Sequence, residues 1–173
     1  MLFNSIPFMI FFPVVVLLYF AIPDKIKNYW LLVTSLFFYA CWNPKYLFLL
    51  LLSIVITYIS SLLIAKSEKS HMKKLYLILC VLSNLSILFF FKYYNFFIES
   101  FADFLFKFGF EPNIWTLRII LPVGISFYTF HGLSYIIDVY KERIKPEKSF
   151  IDYGLFVSFF PLLVAGPIER ATH

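Results

Sequence analysis

A histidine, two tyrosines and an aspartate recur along one apolar stretch. They are Tyr128, His131, Tyr135 and Asp138, led by Gly124, at spacings of four, three, four and three residues. That spacing puts all five on one face of a helix. A lipid-exposed helix gains nothing from such a stripe, because each unpartnered polar group in hydrocarbon costs several kcal/mol. The stripe is therefore expected to face protein or a wet cavity. His131 has the chemistry of a general base near neutral pH, and its alternative role is to hydrogen-bond a neighbouring helix and hold the stripe together. Asp138 lies two turns on, about 10 Å of helical rise away, too far to orient the imidazole directly. Tyr128 and Tyr135 read as packed core, with substrate contact as the alternative. Glu169 and Arg170 follow Gly166-Pro167 at the end of an apolar run, where charges form either a pair inside the protein or a marker of the membrane boundary.

The rest of the polar inventory is thin. His71 falls in a solvated loop and His173 is terminal. Cys41 and Cys80 sit in apolar runs without C-x-x-C spacing, so they read as small buried hydrophobes rather than a disulfide or metal site. The sequence has no serine nucleophile elbow, metal-ligand cluster or phosphate-cradling glycine loop.

The elements that must position the stripe are membrane elements. Of the 173 residues 61% are hydrophobic, 23% aromatic and 14% charged, against roughly a quarter charged in a soluble domain. The net charge of +5 comes from basic residues lying between apolar runs, which excludes a nucleic-acid-binding face and fits membrane topology. Taking about 20 apolar residues per span, the spans are 3–22, 29–42, 46–65, 75–98 and 121–139. Pro7 and Pro13 lie in the first, and the second is short. The first run has no Lys or Arg before it and no small-residue cleavage site, so it reads as a retained anchor. Lys92 lies toward one end of the fourth span, within reach of the headgroups. Residues 99–116, with Phe101, Phe104, Phe108 and Phe110 among charges, read as an amphipathic connector lying on the membrane surface. The last run, 150–168, contains Gly154, Pro161, Gly166 and Pro167 and reads either as a sixth span or as a re-entrant half-membrane element. The expected fold is all-α: a polytopic transmembrane helix bundle of five or six apolar helices with a possible re-entrant segment. With the N-terminus outside, ten Lys and Arg fall in cytoplasmic loops and four in external segments, which favours that orientation.

The string Leu121 to Tyr140, the ending Ala165-Gly166-Pro167-Ile168-Glu169-Arg170, and the earlier strings Asn28-Tyr29-Trp30-Leu31-Leu32, Ser35 to Tyr46 and Phe91-Lys92-Tyr93-Tyr94-Asn95-Phe96 together resemble the membrane-bound O-acyltransferase family. The likeness is to the bacterial branch that O-acetylates exported polysaccharides such as alginate. The resemblance covers the chain from about Leu2 onward and implies that residues 1–173 are the N-terminal part of a single membrane-embedded acyltransferase domain. It further implies an acyl thioester donor such as acetyl-CoA, no metal, an exported polysaccharide acceptor, and a periplasmic or extracellular partner protein in acetylation. Tyr128, His131, Tyr135, Asp138, Glu169 and Arg170 would line its chamber or channel. In the family the catalytic His lies well downstream of the Gly-Pro-Ile-Glu-Arg turn, so it is expected beyond His173, and no position here inherits the catalytic role. The alternatives are a small non-enzymatic transporter or channel subunit, with the stripe lining a solute path, and an inactive remnant.

Overall fold

The computed structural model describes residues 5–107, 122 and 124–165. All regular structure among them is helical: α1 (Ile6–Ala21), α2 (Asp24–Trp42), α3 (Pro44–Lys66), α4 (Ser70–Lys107), α5 (Ile125–Tyr140), α6 (Phe150–Ser158) and α7 (Phe160–Ala165). Two of these helices, α3 over its 23 residues and α4 over Ser70–Tyr94, are long and apolar enough to cross a membrane. Helix α3 is central, packing against α2, α4, α5 and α6, while α2 also packs along α6.

Short polar signals set the helix boundaries. Ser5 caps α1, its hydroxyl accepting from Phe8 N, and Ser149 caps α6, accepting from Asp152 N. Asn43 alone joins α2 to α3: its side chain accepts from Lys45 N and Pro44 takes the first turn of α3, where its missing N–H costs nothing. Helix α2 starts at Asp24, five residues before the apolar run expected at Tyr29, because a helix needs no apolar first turn to propagate. Over residues 99–107 the expected surface connector is not a separate element. With no Gly or Pro between Ser70 and Lys107, α4 runs on for 38 residues, about 57 Å at 1.5 Å per residue and well beyond a hydrocarbon thickness of about 30 Å. Residues 108–116 lie outside the described residues.

The last apolar run is broken. Helix α6 ends at Ser158, Phe159 follows as its cap, and α7 starts at Phe160. The break is buried: Ser158, Phe160 and Leu163 are at most 2% exposed. Ser35 Oγ on α2 accepts from Phe160 N at 3.4 Å while donating to Leu31 O, so an N–H released by the break finds a partner on another helix. Phe160 also closes an aromatic cluster with Phe8, Phe11, Phe12 and Phe38. Cys80 is buried as expected. Cys41 is exposed, because α2 turns Thr34, Ser35, Phe38 and Tyr39 inward and leaves Cys41 off that face.

Three joints meet at one end of the bundle. Lys73 of α4 pairs with Glu142 in the α5–α6 loop at 2.8 Å, Tyr58 Oη of α3 donates to Lys148 O at 2.6 Å, and Asn28 Nδ2 of α2 donates to Asp152 Oδ1 of α6 at 2.6 Å. The loops read as one side of the membrane from their basic residues thus share one end. The α5–α6 loop leaves the helix through Glu142, held in the left-handed region at φ 56°. Arg143 N bonds to Asp138 O and Glu142 N to Val139 O, the paired bonds of a Schellman cap. Lys73 beside it holds the Glu142 carboxyl below its ordinary value of 4.5. A depressed folded pKa stabilises above the unfolded value and is lost as pH falls through the folded one. Acidification from pH 6 downward through 4.5 is therefore expected to lower the melting temperature of the wild type more than that of Glu142→Gln. Parallel melting curves across that window would show that the pair contributes nothing.

Candidate functional site

Helix α5 is launched by Gly124, which sits at φ 76° in the left-handed region, with its carbonyl accepting from Tyr128 N at 3.0 Å. From there the expected stripe turns inward as a unit. Tyr128, His131, Tyr135 and Asp138 are 0%, 1%, 3% and 4% exposed, so the face of α5 that carries them meets protein. The His131 ring stands edge-on to Phe156 of α6 with centroids 5.7 Å apart. Tyr135 packs on Tyr153 at 4.6 Å and its hydroxyl accepts from Glu147 N at 2.7 Å. Asp138 accepts from Arg143 Nη1 at 3.2 Å, so its carboxylate is engaged by its own loop, and His131 and Asp138 have separate surroundings. The buried Tyr128 hydroxyl has no hydrogen-bond partner among the described residues. Glu169 and Arg170 lie outside the described residues, just beyond the end of α7.

The polar residues that lie behind the stripe carried little signal in the sequence. Ser53, Thr57 and Ser61 of α3 lie four residues apart on one face, each at most 2% exposed. Ser53 Oγ donates to Asn84 Oδ1 of α4 at 2.5 Å, and Asn84 Nδ2 donates to Thr57 Oγ1 at 3.4 Å and to Cys80 O at 3.0 Å. Gly132 of α5 closes on the same point: a Cβ there would lie 3.2 Å from Thr57 Oγ1 and 3.7 Å from the Tyr153 hydroxyl oxygen. Small residues at such crossings let backbones approach in membranes, and polar ones bond across helices. The small-x3-small-x3-small spacing of 53, 57 and 61 is the signal that marks this seam. A buried amide, three small hydroxyls and a glycine can fix the depth and rotation of α5, and thus the position of the His131 face.

Comparison with known proteins adds what geometry alone does not. The peptidoglycan O-acetyltransferase of Helicobacter pylori is 41% identical over 97% of this chain. The probable alginate O-acetylases AlgI of Pseudomonas aeruginosa and Azotobacter vinelandii are 40% and 38% identical over 98% of it. The chain belongs to the membrane-bound O-acyltransferase family. Within that family it spans about a third of the length of these relatives, 33–37% of each. No family model and no solved structure matches the chain. The described residues are all-helical in their regular structure, with two helices fit to cross a membrane, which is compatible with membrane acyltransferases.

Proposed function

We propose that this chain forms the N-terminal helical wall of a multi-pass O-acyltransferase of the bacterial inner membrane. The enzyme takes an acetyl group from a cytoplasmic thioester donor such as acetyl-CoA and delivers it to a hydroxyl of an exported polysaccharide. In that reaction the thioester C–S bond breaks, an ester C–O bond forms, and the hydroxyl proton passes through a base to the departing thiolate. The base is a His beyond His173. The observation that carries the reading is identity of 38–41% along 97–98% of the chain to proteins named as peptidoglycan and alginate O-acetylating enzymes.

In this proposal Tyr128, His131, Tyr135 and Asp138 hold the chamber wall, and Glu169 and Arg170, which follow α7 in the chain, belong to its border. The end bearing the three stapled joints faces the cytoplasm, which places the N-terminus outside by the excess of Lys and Arg there. A periplasmic or extracellular protein would collaborate in delivering the acetyl group to the polymer. A solute path along α5 is less favoured, because Thr57, Tyr153 and Phe156 fill the space against the stripe.

The test is made in a strain lacking O-acetylation of its own exported polysaccharide. The natural coding region is expressed through its own stop codon, and residues 1–173 are expressed alone. Ester-linked acetate on the polymer is expected from the natural product when it extends into further apolar spans containing a His, and none from residues 1–173. Acetate from residues 1–173 would overturn the downstream base, and a longer product yielding none would sink O-acetylation. A reporter fused after Lys74 that proves accessible from outside reverses the orientation.

A further inference from the structure

A groove of about 390 Å³ runs between α2 and α6. Its walls are Leu31, Leu155, Phe159 and Leu162, and Asn28 and Asp152 mark one end of it. That end is the basic end of the bundle. Lys25 precedes Asn28 by three residues on α2 and so shares its face, and Lys148 stands immediately before Ser149, the cap of α6. Both lysines are exposed. Neither carries an ion pair among the described residues, whereas Lys27, Lys73 and Arg143 at the same end all do. Asp152 contributes a carboxylate to the mouth, with one oxygen already taken by Asn28.

These features demand a ligand with two chemistries. The wall residues offer only hydrocarbon below the first helical turn, so an elongated apolar chain fits there and a hydrated solute does not. The two unpaired ammonium groups suit a phosphate, placed outward of Asp152 so that the carboxylate does not oppose it. We propose that the α2–α6 groove is a binding site for an anionic phospholipid, one acyl chain lying along Leu31, Leu155, Phe159 and Leu162 and the phosphate held between Lys25 and Lys148. Phe156, whose ring meets His131, also lines the groove, and the proposal does not depend on the acyl-transfer reading.

The test uses the purified protein in neutral detergent, with lipid retention read by native mass spectrometry and thermal unfolding followed in parallel. The added lipids are phosphatidylglycerol and phosphatidylcholine with the same chains, with glycerol phosphate as the tail-less headgroup. Phosphatidylglycerol is expected to be retained at roughly tenfold lower concentration than phosphatidylcholine, and Lys25→Gln with Lys148→Gln to abolish that preference. Leu155→Trp, which fills the groove, is expected to reduce retention of both lipids, and its helical content by circular dichroism separates blocking from misfolding. Equal retention of the two lipids overturns the proposal. So does an equal loss in Lys69→Gln with Lys74→Gln, at the α3–α4 turn, since that would reflect general basicity. Stabilisation by glycerol phosphate matching that by the whole lipid overturns the acyl-chain half.

Discussion

Gly124→Ala is expected to lower the stability of the helical bundle by about 3 kcal/mol, the largest effect of any single methyl group here. Two independent terms act in the same direction. The residue sits at φ 76°, where an L side chain costs roughly 1–2 kcal/mol. A Cβ at this position would also lie 2.8 Å from the carbonyl oxygen of Leu163, and a backbone oxygen cannot swing aside as a side chain can, so overpacking adds about 1–3 kcal/mol. The obstructing atom belongs to α7, so relief would require the start of α5 and the short buried helix to separate. That would loosen the helix that immediately precedes Gly166 in the chain. Gly154→Ala is the matched control. Its Cβ would lie 3.5 Å from Leu32 Cδ1, an ordinary contact, and Ala is favoured over Gly inside a helix by about 0.5–1 kcal/mol, so that variant should be neutral or slightly stabilised. Unfolding of both in mixed micelles by titration with SDS, read by helical circular dichroism, gives the comparison. A Gly124→Ala midpoint no lower than that of Gly154→Ala would mean that α7 does not bear on α5.

How much of this was readable in the chain depends on the range of each signal. The α5 stripe was legible because Tyr128, His131, Tyr135 and Asp138 differ sharply in polarity from their neighbours and repeat at the period of one helix. The limits of α3 were legible as well: Asn43-Pro44 and Lys66 bracket one uninterrupted apolar run, and the helix extends only one or two residues past the expected span at each end. Helix α4 continues past Glu99 because charge marks where a helix leaves the apolar layer and not where its hydrogen bonding stops. Only Gly or Pro would have signalled that, and neither occurs before Lys107. The engagement of Asp138 by Arg143 is silent in the sequence for another reason. It depends on a left-handed residue at Glu142, where the usual marker of such a turn, glycine, is missing. The start of α2 at Asp24 was hidden in the same way, since its first turn is polar.

The seam behind α5 was the least legible feature. Asn84→Ala tests whether it holds the helices together, and the expected cost is about 3 kcal/mol. Asn84 lies in an apolar run of α4 interrupted only by Ser83 and Ser86, and its partners on α3, Ser53 and Thr57, precede it by 31 and 27 residues. Hydrogen bonds between membrane helices average about 0.6 kcal/mol and reach about 1.7, so the two bonds to α3 account for roughly 1–2 kcal/mol. The void left in a site 1% exposed adds a cavity penalty of about 1–2 kcal/mol. The two terms can be separated: in a cycle with Ser53→Ala the void is common to both arms, and the coupling between residues 53 and 84 should come out near 1 kcal/mol. Coupling indistinguishable from zero would show that the seam is packed without being bonded. The consequence extends past stability. Thr57 is both an acceptor for Asn84 and the atom nearest the missing Cβ of Gly132, so the amide on α4 and the glycine on α5 bear on one hydroxyl. Losing the amide should let α3 and α4 part while α5 keeps its contacts with α6. Labelled cysteines placed on α4 and α6 would then report a change in the α4–α6 separation with no change between α5 and α6. A shift confined to α5–α6 would instead place the support of the His131 face in the aromatic packing of Tyr135, Tyr153 and Phe156.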